Sequence, residues 1–228
     1  MERGLYIAAS GMLAEQVRQD QIANDLANSS TSGYKSDRSS QRSFGDLLLQ
    51  NSATGEPIGP LGLGTTIART VTDLSQAPVR DTGEPLDFAI EGPGFFEVRT
   101  PQGIRFTRNG QFMRSAAGFL TDPQGNQVLG QNGRPIAVRQ DGTAATNPGA
   151  FNVPNARKVG DSLFQGAPAG PATGTVKNGA LEGSGTDPAR SMVEMIASYR
   201  AYEAGQKAIR TIDETLNKAV TQVASISG

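Results

Sequence analysis

The sequence predicts an α+β protein in which long helices at both ends of the chain flank a central β-rich region. Small and apolar residues recur every three or four positions at both ends, whereas the middle alternates with period two. Most of the 28 glycines and 13 prolines also lie in the middle, between Gly55 and Gly185. We therefore expect the terminal helices to pack together as a coiled-coil-like helical domain, joined to a central antiparallel β domain.

The N-terminal helix is predicted from Leu5 to Ala27. Its apolar face follows a 4-3-4-3 spacing, which keeps side chains on one side of a helix. Two of the seven residues on this face are glutamine, so the face is only weakly apolar. The polar run from Asn28 to Gly33 then ends the helix, because its residue types favour caps and turns. The face consists of Leu5, Ala9, Met12, Gln16, Gln19, Ala23 and Leu26.

The middle of the chain has the pattern of short strands. Strands are predicted at 87–90, 95–98 and 104–107, with glycine-containing turns between them. Turn signals at regular short intervals indicate a compact antiparallel β core at about 63–138. The segment 139–185 is poorer in apolar residues, and we expect it to return the chain irregularly to the C-terminal helix.

The C-terminal helix is predicted to begin with Asp187 as N-cap and Pro188 in the first helical position. Its apolar face is built mainly from alanine. Because burying one methyl group contributes only about 0.8 kcal/mol, such a helix suits close helix–helix approach repeated over many contacts. The face includes Ala197, Ala201, Ala204, Ala208, Ile212, Leu216, Ala219, Val223 and Ile226.

Each predicted helix contains one internal glycine, Gly11 and Gly205. A glycine inside a helix costs about 1 kcal/mol relative to alanine. Two interpretations remain open at this stage: the glycines are merely tolerated, or they allow a neighbouring backbone to come close.

These elements divide the chain into three predicted regions. Residues 1–35 and 186–228 form a terminal helical assembly domain, and 36–62 form a connector. Residues 63–185 form the central β-rich domain.

Composition argues against several classes of function. The absence of cysteine and histidine removes the commonest transition-metal ligands, thiol nucleophiles and the usual general base. The net charge of −1 comes from interspersed signs, so we expect neither nucleic-acid binding nor direct membrane insertion. Four acids that lie close together in the sequence, Glu84, Asp87, Glu91 and Glu97, are interpreted as a solvated face. We therefore predict no enzyme activity and no catalytic, cofactor or metal site.

The uncharged run from Leu5 to Ala14 is not expected to act as a cleaved signal peptide. Its N-terminal flank has no net positive charge, and Glu15 and Gln16 follow it where small cleavage-site residues belong. The run is also shorter than the roughly 20 apolar residues that a membrane span needs.

Three motifs, one in each predicted element, occur in a recognisable order. The first ends the N-terminal helix, the second lies in the β region, and the third includes Leu181-Glu182-Gly183-Ser184 and part of the C-terminal helix. With them the chain resembles the bacterial flagellar rod and hook protein family, although Asp25 departs from the family's second asparagine. The motif positions are Asn24, Asn28, Thr31, Gly33, Tyr34, Lys35, Gly92, Gly94, Phe95, Phe96, Arg200, Tyr202 and Glu203.

The resemblance implies a structural subunit of the flagellar basal-body rod, most like the distal-rod type, with a proximal type as the alternative. It implies self-assembly into a helical tube that transmits motor torque, and contacts with other rod and hook subunits. It also implies passage through the flagellar export apparatus without a cleaved signal, so that the protein reaches the basal body. Two further alternatives are a hook-type subunit and a non-assembling β-rich binding or adhesin domain.

We expect the terminal helices to carry the assembly, because each buries little apolar surface alone and gains more when copies meet. Charge on this predicted seam should then block assembly while the β domain stays folded. The predicted seam residues are Leu5, Met12, Ala23, Leu26, Ala201, Ala204, Ala208, Ile212 and Leu216.

Overall fold

The computed structural model describes residues 2–43, 46–50, 57–62, 64–160 and 162–226. The described residues form two helices and sixteen strands, which confirms the predicted α+β class. In chain order they are α1 (Glu2–Ala27), β1 (Asp37–Ser43), β2 (Asp46–Gln50), β3 (Pro57–Gly62), β4 (Thr65–Thr72), β5 (Val79–Asp81), β6 (Phe88–Glu91), β7 (Phe95–Thr100), β8 (Gly103–Thr107), β9 (Met113–Arg114), β10 (Leu120–Thr121), β11 (Gln127–Leu129), β12 (Ala150–Phe151), β13 (Arg157–Gly160), β14 (Leu163–Gln165), β15 (Thr175–Asn178), β16 (Ala180–Glu182) and α2 (Pro188–Ile226).

The chain divides into two compact units, and the divisions differ from those drawn from the sequence. The helical unit comprises Met1–Leu26, Asp37–Val71 and Pro188–Gly228, and the β unit comprises Ala27–Ser36 and Thr72–Asp187. Strands β1 to β4 thus belong with the helices, in a stretch that was predicted mainly to be a connector. The segment after α1 belongs with the β unit, because its last residues are buried there.

Both predicted helix boundaries at the motif segments are confirmed. Helix α1 ends at Ala27, before the polar turn that contains Gly33 with a φ of 66°. This left-handed conformation favours glycine and stops a helix. Helix α2 begins at Pro188, whose fixed φ suits the first helical position.

Within the helical unit, α1 and α2 run in opposite directions and come into contact. The Ser198 hydroxyl donates a hydrogen bond of 2.6 Å to the Glu15 carboxylate. Gly205 faces Met12, since a Cβ at this glycine would lie 2.7 Å from the Met12 Cγ. Near the start of α1, a Cβ at Gly4 would lie 3.2 Å from Ile212. As α1 proceeds from Gly4 to Glu15, its contacts on α2 therefore move from Ile212 back to Ser198.

The strands of the helical unit form two separate ladders, β1 with β4 and β2 with β3. The start of β4 is held by α1, because the Ser10 hydroxyl accepts a hydrogen bond of 3.2 Å from the Thr65 amide. The Gln21 side chain likewise donates to the Asp37 carbonyl at the start of β1. Most side chains of β1 and those at positions 68–71 of β4 are exposed.

The β unit contains a sheet in the order β13-β14-β8-β7-β11-β10-β9, with β12 also paired to β7, and all its pairings are antiparallel. The predicted strands at 87–90, 95–98 and 104–107 correspond to β6, β7 and β8. The segment predicted as an irregular return instead supplies β12 to β16. Its strands add to the sheet and pair β15 with β6 and β16 with β5.

The two phenylalanines of the sequence Gly92-Pro93-Gly94-Phe95-Phe96, called here the Gly-Pro-Gly-Phe-Phe phrase, contribute to a core on each face of this sheet. Successive side chains of a strand point to opposite faces, so Phe95 and Phe96 enter different clusters. Phe96 packs edge-on against Phe112 with 5.3 Å between ring centroids, and Phe95 packs against Phe164 at 5.2 Å.

The interpretation of the four neighbouring acids as one solvated face is wrong for two of them. Glu84 and Glu91 are exposed, but Asp87 and Glu97 are buried. Asp87 accepts a hydrogen bond of 2.7 Å from the Thr82 hydroxyl. Glu97 is buried because β7 lies inside the sheet, where its neighbours across the strands are Leu129 of β11 and Phe106 of β8.

Candidate assembly site

The segment that follows α1 and the segment that precedes α2 lie side by side in the β unit. The Gly33 amide donates to the Glu182 carbonyl and the Gly185 amide donates to the Tyr34 carbonyl, each at 2.9 Å. The Ser184 hydroxyl donates to the Asn28 carbonyl at 2.9 Å. The chain therefore leaves one terminal helix and enters the other through two hydrogen-bonded segments.

A buried cluster of three charged side chains fastens these segments to the strands. Lys35 Nζ lies 2.6 Å from Glu182 Oε1, and Arg108 lies 3.2 Å from Glu182 Oε2. All three side chains are almost wholly inaccessible to solvent. Since buried charges are tolerated when they are paired and hydrogen-bonded, each of the three requires the others.

Hydrogen bonds from the surrounding backbone complete the cluster. Lys35 also donates to the Ser75 carbonyl at 2.6 Å, and Glu182 accepts from the Ala77 amide at 2.8 Å. Arg108 donates to the carbonyl of Ile90 in β6 and to that of Gly92, the first residue of the Gly92-Pro93-Gly94 turn. Its guanidinium stacks over the Phe95 ring at 5.4 Å, so the β-region motif also contacts the cluster.

Burial dominates the electrostatics of both cations. It lowers the pKa of Lys35, an effect that the attraction and hydrogen bond of Glu182 oppose. Burial lowers the pKa of Arg108 in the same way, again opposed by Glu182. The carboxylate of Glu182 therefore stabilises the charged form of both buried side chains, against the effect of burial on each pKa.

The turn before Lys35 fits tightly against the strand connection that carries Arg108. A Cβ at Gly33 would lie 2.3 Å from the Arg108 carbonyl carbon, so only glycine fits there. Tyr34 is buried beneath Lys158, whose ammonium lies 4.1 Å from the ring centroid and also donates to the Lys35 carbonyl. Thr31 donates to the Asn28 side chain at 3.2 Å and closes the turn.

The glycines of the β-region motif permit close backbone approach. Gly92 and Gly94 have φ values of 101° and 142°, a region that favours glycine. A Cβ at Gly94 would lie 2.7 Å from the Ala172 Cβ. Phe95 and Phe96 follow directly and are buried.

The structure divides the predicted seam residues between partly buried and exposed positions. Leu5, Met12, Leu26, Ile212 and Leu216 are partly buried, and Ala23, Ala201, Ala204 and Ala208 are exposed. Several of them line one open groove between α1 and α2 of about 540 Å³, namely Met12, Ala201, Ala204 and Ala208. Of the helical motif positions, Asn24, Arg200 and Glu203 are exposed and Tyr202 is partly buried.

Sequence reasoning missed most of the less exposed face of α2, of which only Ile212 and Leu216 were in the predicted seam. Its residues follow a regular 3-4 spacing that is offset from the alanines, and all are buried or partly buried. The 3-4 spacing is present in the sequence, but Ser198 and Gly205 occupy two of its positions, so the row does not have the pattern of an apolar face. The residues are Met195, Ser198, Tyr202, Gly205, Ile209, Ile212 and Leu216.

Neither Glu182 nor Arg108 was predicted to be a site residue, although Glu182 lies in the motif that precedes α2. Acidic and basic residues 74 positions apart carry no sequence signal of mutual contact. Within the described residues, no group of three or more His, Cys, Asp or Glu side chains is arranged to hold a metal ion. No helix in the described part of the chain is long and apolar enough to cross a membrane.

Three family models match separate parts of the chain. The models described as "Flagella basal body rod protein", "Flagellar hook protein FlgE/F/G D1 domain" and "Flagellar basal body rod FlgEFG protein C-terminal" match residues 5–35, 89–159 and 177–222. The buried charge cluster takes one residue from each match, since Lys35, Arg108 and Glu182 fall in the three ranges in turn.

Curated relatives align along nearly the whole chain. The flagellar basal-body rod protein FlgG of Borreliella burgdorferi is 33% identical, over 96% of this chain and 98% of its own. FlgG of Bacillus subtilis is 30% identical with the same coverage of both chains. The basal-body rod protein FlgF of Caulobacter vibrioides is 28% identical over 100% of both chains. The chain therefore belongs to the flagellar basal-body rod protein family.

Proposed function

We propose that this chain is a structural subunit of the bacterial flagellar basal-body rod, which assembles through its terminal helices into a helical tube that transmits motor torque. The observation that carries the proposal is the similarity to rod proteins over 96% of the chain, which includes both helices and the β unit. The function is mechanical, and it needs no catalytic group or cofactor.

The surface of the helices supports an assembling role. Leu13 on α1 and Val193 on α2 are 64% and 67% exposed, although both are large and apolar. Helices gain most of their stability from packing an apolar face, so these helices are stabilised further when another chain covers them. Burial deferred until assembly also leaves the terminal helices loosely held, as export requires.

Partners and location follow from the same proposal. The chain would contact copies of itself, other rod and hook subunits, and the flagellar export apparatus. It would reach the basal body without cleavage of a signal peptide. The predicted seam, in particular Ala204 and Ala208, remains our proposal for residues at the assembly contact.

The rod subtype belongs to the proposal as well. The FlgG relatives named above are 30% and 33% identical to this chain and the FlgF relative is 28% identical. With the Gly-Pro-Gly-Phe-Phe phrase, this supports a rod subunit of the distal type. A hook-type subunit is the second candidate, because the model matched by residues 89–159 is described as a hook protein domain.

Assembly of the purified chain tests the function. We expect sedimentation and electron microscopy to show tubes or helical oligomers as the concentration rises. Ala204→Glu and Ala208→Glu should prevent them, whereas Gln102→Glu in the exposed turn after β7 should have no effect. A wild-type chain that stays monomeric at every concentration, alone and with other rod subunits, would contradict the proposal.

A further inference from the structure

Three asparagines of the chain are followed directly by glycine, namely Asn109, Asn132 and Asn178. Asparagine is a thermolabile residue, because the backbone nitrogen of the next residue can attack its side-chain carbonyl carbon. Glycine in that next position hinders the attack least, since it has no side chain and the widest choice of backbone conformations. The sequence alone therefore offers three equal candidates for spontaneous deamidation, and the fold distinguishes among them.

Asn178 is held in a strand pairing. It is the last residue of β15, which pairs along its whole length with β6. The Gly179 amide donates to the Asp87 carbonyl at 2.8 Å. The Gly179 carbonyl accepts from the amides of Thr82 and Gly83 at 2.8 Å and 3.0 Å. The Gly179 nitrogen can therefore turn towards the Asn178 side chain only when this part of the pairing opens.

Asn109 precedes a glycine that is closely packed. Gly110 is buried, and its carbonyl accepts a hydrogen bond of 3.0 Å from the Phe88 amide. A Cβ at Gly110 would clash with the Phe88 carbonyl oxygen, so the two backbones are in direct contact. The rotation that would bring the Gly110 nitrogen to the Asn109 side chain has no room in the folded chain.

Asn132 lies instead in an exposed turn after β11. Residues 131–134 are all exposed, and a Cβ at Gly133 would meet nothing within 4 Å. The Gly133 amide donates to the Gly130 carbonyl at 2.9 Å, and the Asn132 side chain accepts from the Arg134 amide at 3.1 Å. Freeing the two reacting groups costs these two bonds at a loop tip, where local opening is easiest.

We propose that Asn132 deamidates spontaneously in the folded chain, whereas the fold protects Asn109 and Asn178. The Gly133 nitrogen gives its proton to water and bonds to the Asn132 Cγ. The bond from Cγ to Nδ2 breaks, and ammonia leaves with a proton taken from water. Water then opens the succinimide ring: addition at Cγ gives aspartate, and addition at the main-chain carbonyl carbon gives isoaspartate.

The two products affect the turn differently. Aspartate keeps a side-chain oxygen that can accept from the Arg134 amide, so it preserves the turn. Isoaspartate places an extra methylene group in the main chain between Gly130 and Arg134, whose backbone groups are hydrogen-bonded at 2.9 Å, and should distort the turn.

Both products add a negative charge beside an open cavity of about 600 Å³ in the β unit. Asn132 borders this cavity together with Gln131, Thr146, Asn147 and Thr175. Of the lining residues in the described part of the chain, none has an ionisable side chain. Deamidation would therefore turn a neutral cavity into an acidic one.

Ageing of the purified, folded chain tests the site. The protein is held at physiological temperature and mildly alkaline pH, and deamidation is localised by proteolysis and tandem mass spectrometry. We expect Asn132 to convert at least about tenfold faster than Asn109 or Asn178, because those two react only after a costlier local opening. Asn132→Gln should lose the modification, since the corresponding ring is larger and closes more slowly.

The same measurement in concentrated urea is the matched control. Unfolding removes the strand pairing and the packing, so the three sites should convert within about threefold of one another. Similar rates at the three sites of the folded chain would overturn the inference. So would a tenfold preference for Asn132 that persists in urea, because it would arise from local sequence rather than from the fold.

Melting temperatures test the consequence for the turn. Asn132→Asp should melt as fresh wild type does, whereas aged wild type, labelled by an isoaspartate-specific methyltransferase, should melt at a lower temperature. Aged and fresh protein that melt alike despite extensive labelling would contradict the distortion of the turn. None of these outcomes depends on whether the chain assembles, so they are separate from the test of the proposed function.

Discussion

Glu182 is the residue on which the junction of the two terminal segments depends. One carboxylate faces two buried cations, Lys35 and Arg108, and both cations also donate to backbone carbonyls. The Arg108 Nε has no hydrogen-bond partner among the described residues, so the cluster has little capacity to absorb a further loss. A buried network of this kind is stable only when every member is present.

Replacing Glu182 should therefore be far more damaging than a change of one surface charge. Glu182→Gln leaves two cations buried without a counter-charge, which should cost about 3–5 kcal/mol of unfolding free energy. Urea titration monitored by circular dichroism would measure it. Glu84→Gln, at an exposed acid, serves as the control and should stay within about 0.5 kcal/mol of wild type. A similar loss for both variants would show that the cluster contributes nothing special.

Gly33 should be irreplaceable because of space as well as conformation. Gly33 and Gly133 have nearly equal φ values of 66° and 69°, but a Cβ at Gly133 would meet nothing within 4 Å. Gly133→Ala should cost about 1–2 kcal/mol from the left-handed backbone alone. Gly33→Ala adds a clash with the Arg108 backbone and should lower the melting temperature much further. Equal melting temperatures for the two variants would contradict the tight fit.

Glu97 should make stability depend on pH in the acidic range. Burial raises the pKa of this carboxyl above its usual value of about 4.5, and Arg99 opposes the shift. The folded state thus binds the proton more tightly, so the unfolding free energy falls as pH rises from about 4.5 through the raised pKa. Glu97→Gln removes this loss and should raise the melting temperature at pH 7, with the gain disappearing below about pH 4. A gain of the same size at both pH values would exclude the ionisation as its cause.

At the scale of elements, the helices were the most predictable part and their contact faces the least. The end of α1 and the start of α2 were predicted correctly from the spacing of apolar residues, the N-cap residue and the turn residues. These boundaries depend on local residue chemistry. The alanine face was chosen on α2 because its spacing is regular, yet the less exposed face is the neighbouring row that includes Ser198 and Gly205. Which row meets a partner depends on tertiary geometry, and periodicity alone does not distinguish two adjacent rows.

Gly11 in α1 and Gly205 in α2 should respond differently to replacement by alanine. Nothing lies within 4 Å of a Cβ at Gly11, whereas one at Gly205 would press on Met12. Gly11→Ala should raise the unfolding free energy by up to about 1 kcal/mol through helix propensity. Gly205→Ala should gain clearly less, because the Met12 side chain must move. Thermal unfolding followed at a helical wavelength would compare them, and an equal gain would mean that Gly205 is merely tolerated.

At the scale of the whole molecule, trypsin should remove α2 before it cuts the β unit in dilute solution. Lys207, Arg210 and Lys218 are exposed on a helix with little of its surface buried, whereas the β unit is held by two apolar clusters. Mass spectrometry should show early loss of C-terminal fragments and a persistent β unit. Cleavage at Arg99 or Arg105 before Lys207 would contradict this order. Protease-resistant ends would favour the non-assembling alternative.

The sequence allowed prediction of the β core more fully than of the charge cluster. Alternation and turn residues located β6, β7 and β8, because strand burial follows a local period. Lys35, Arg108 and Glu182 come from distant segments, and their contact depends on how those segments fold together. The strands β12 to β16 were also not predicted, since short pairings in a glycine- and proline-rich segment arise from the partner strand more than from local propensity.

The alternation of the chain between its two units has a mechanical consequence. Following the sequence, the backbone crosses from one unit to the other four times, near residues 26, 36, 71 and 187. A pulling load between helices and β unit is therefore shared by four covalent tethers rather than carried by one linker. The second and last tethers are fastened to each other by the Lys35–Glu182 ion pair, because Lys35 lies beside the crossing near residue 36 and Glu182 shortly before the crossing near residue 187. We expect such a subunit to resist twisting by distributing tension over these tethers, as the proposed rod function would require.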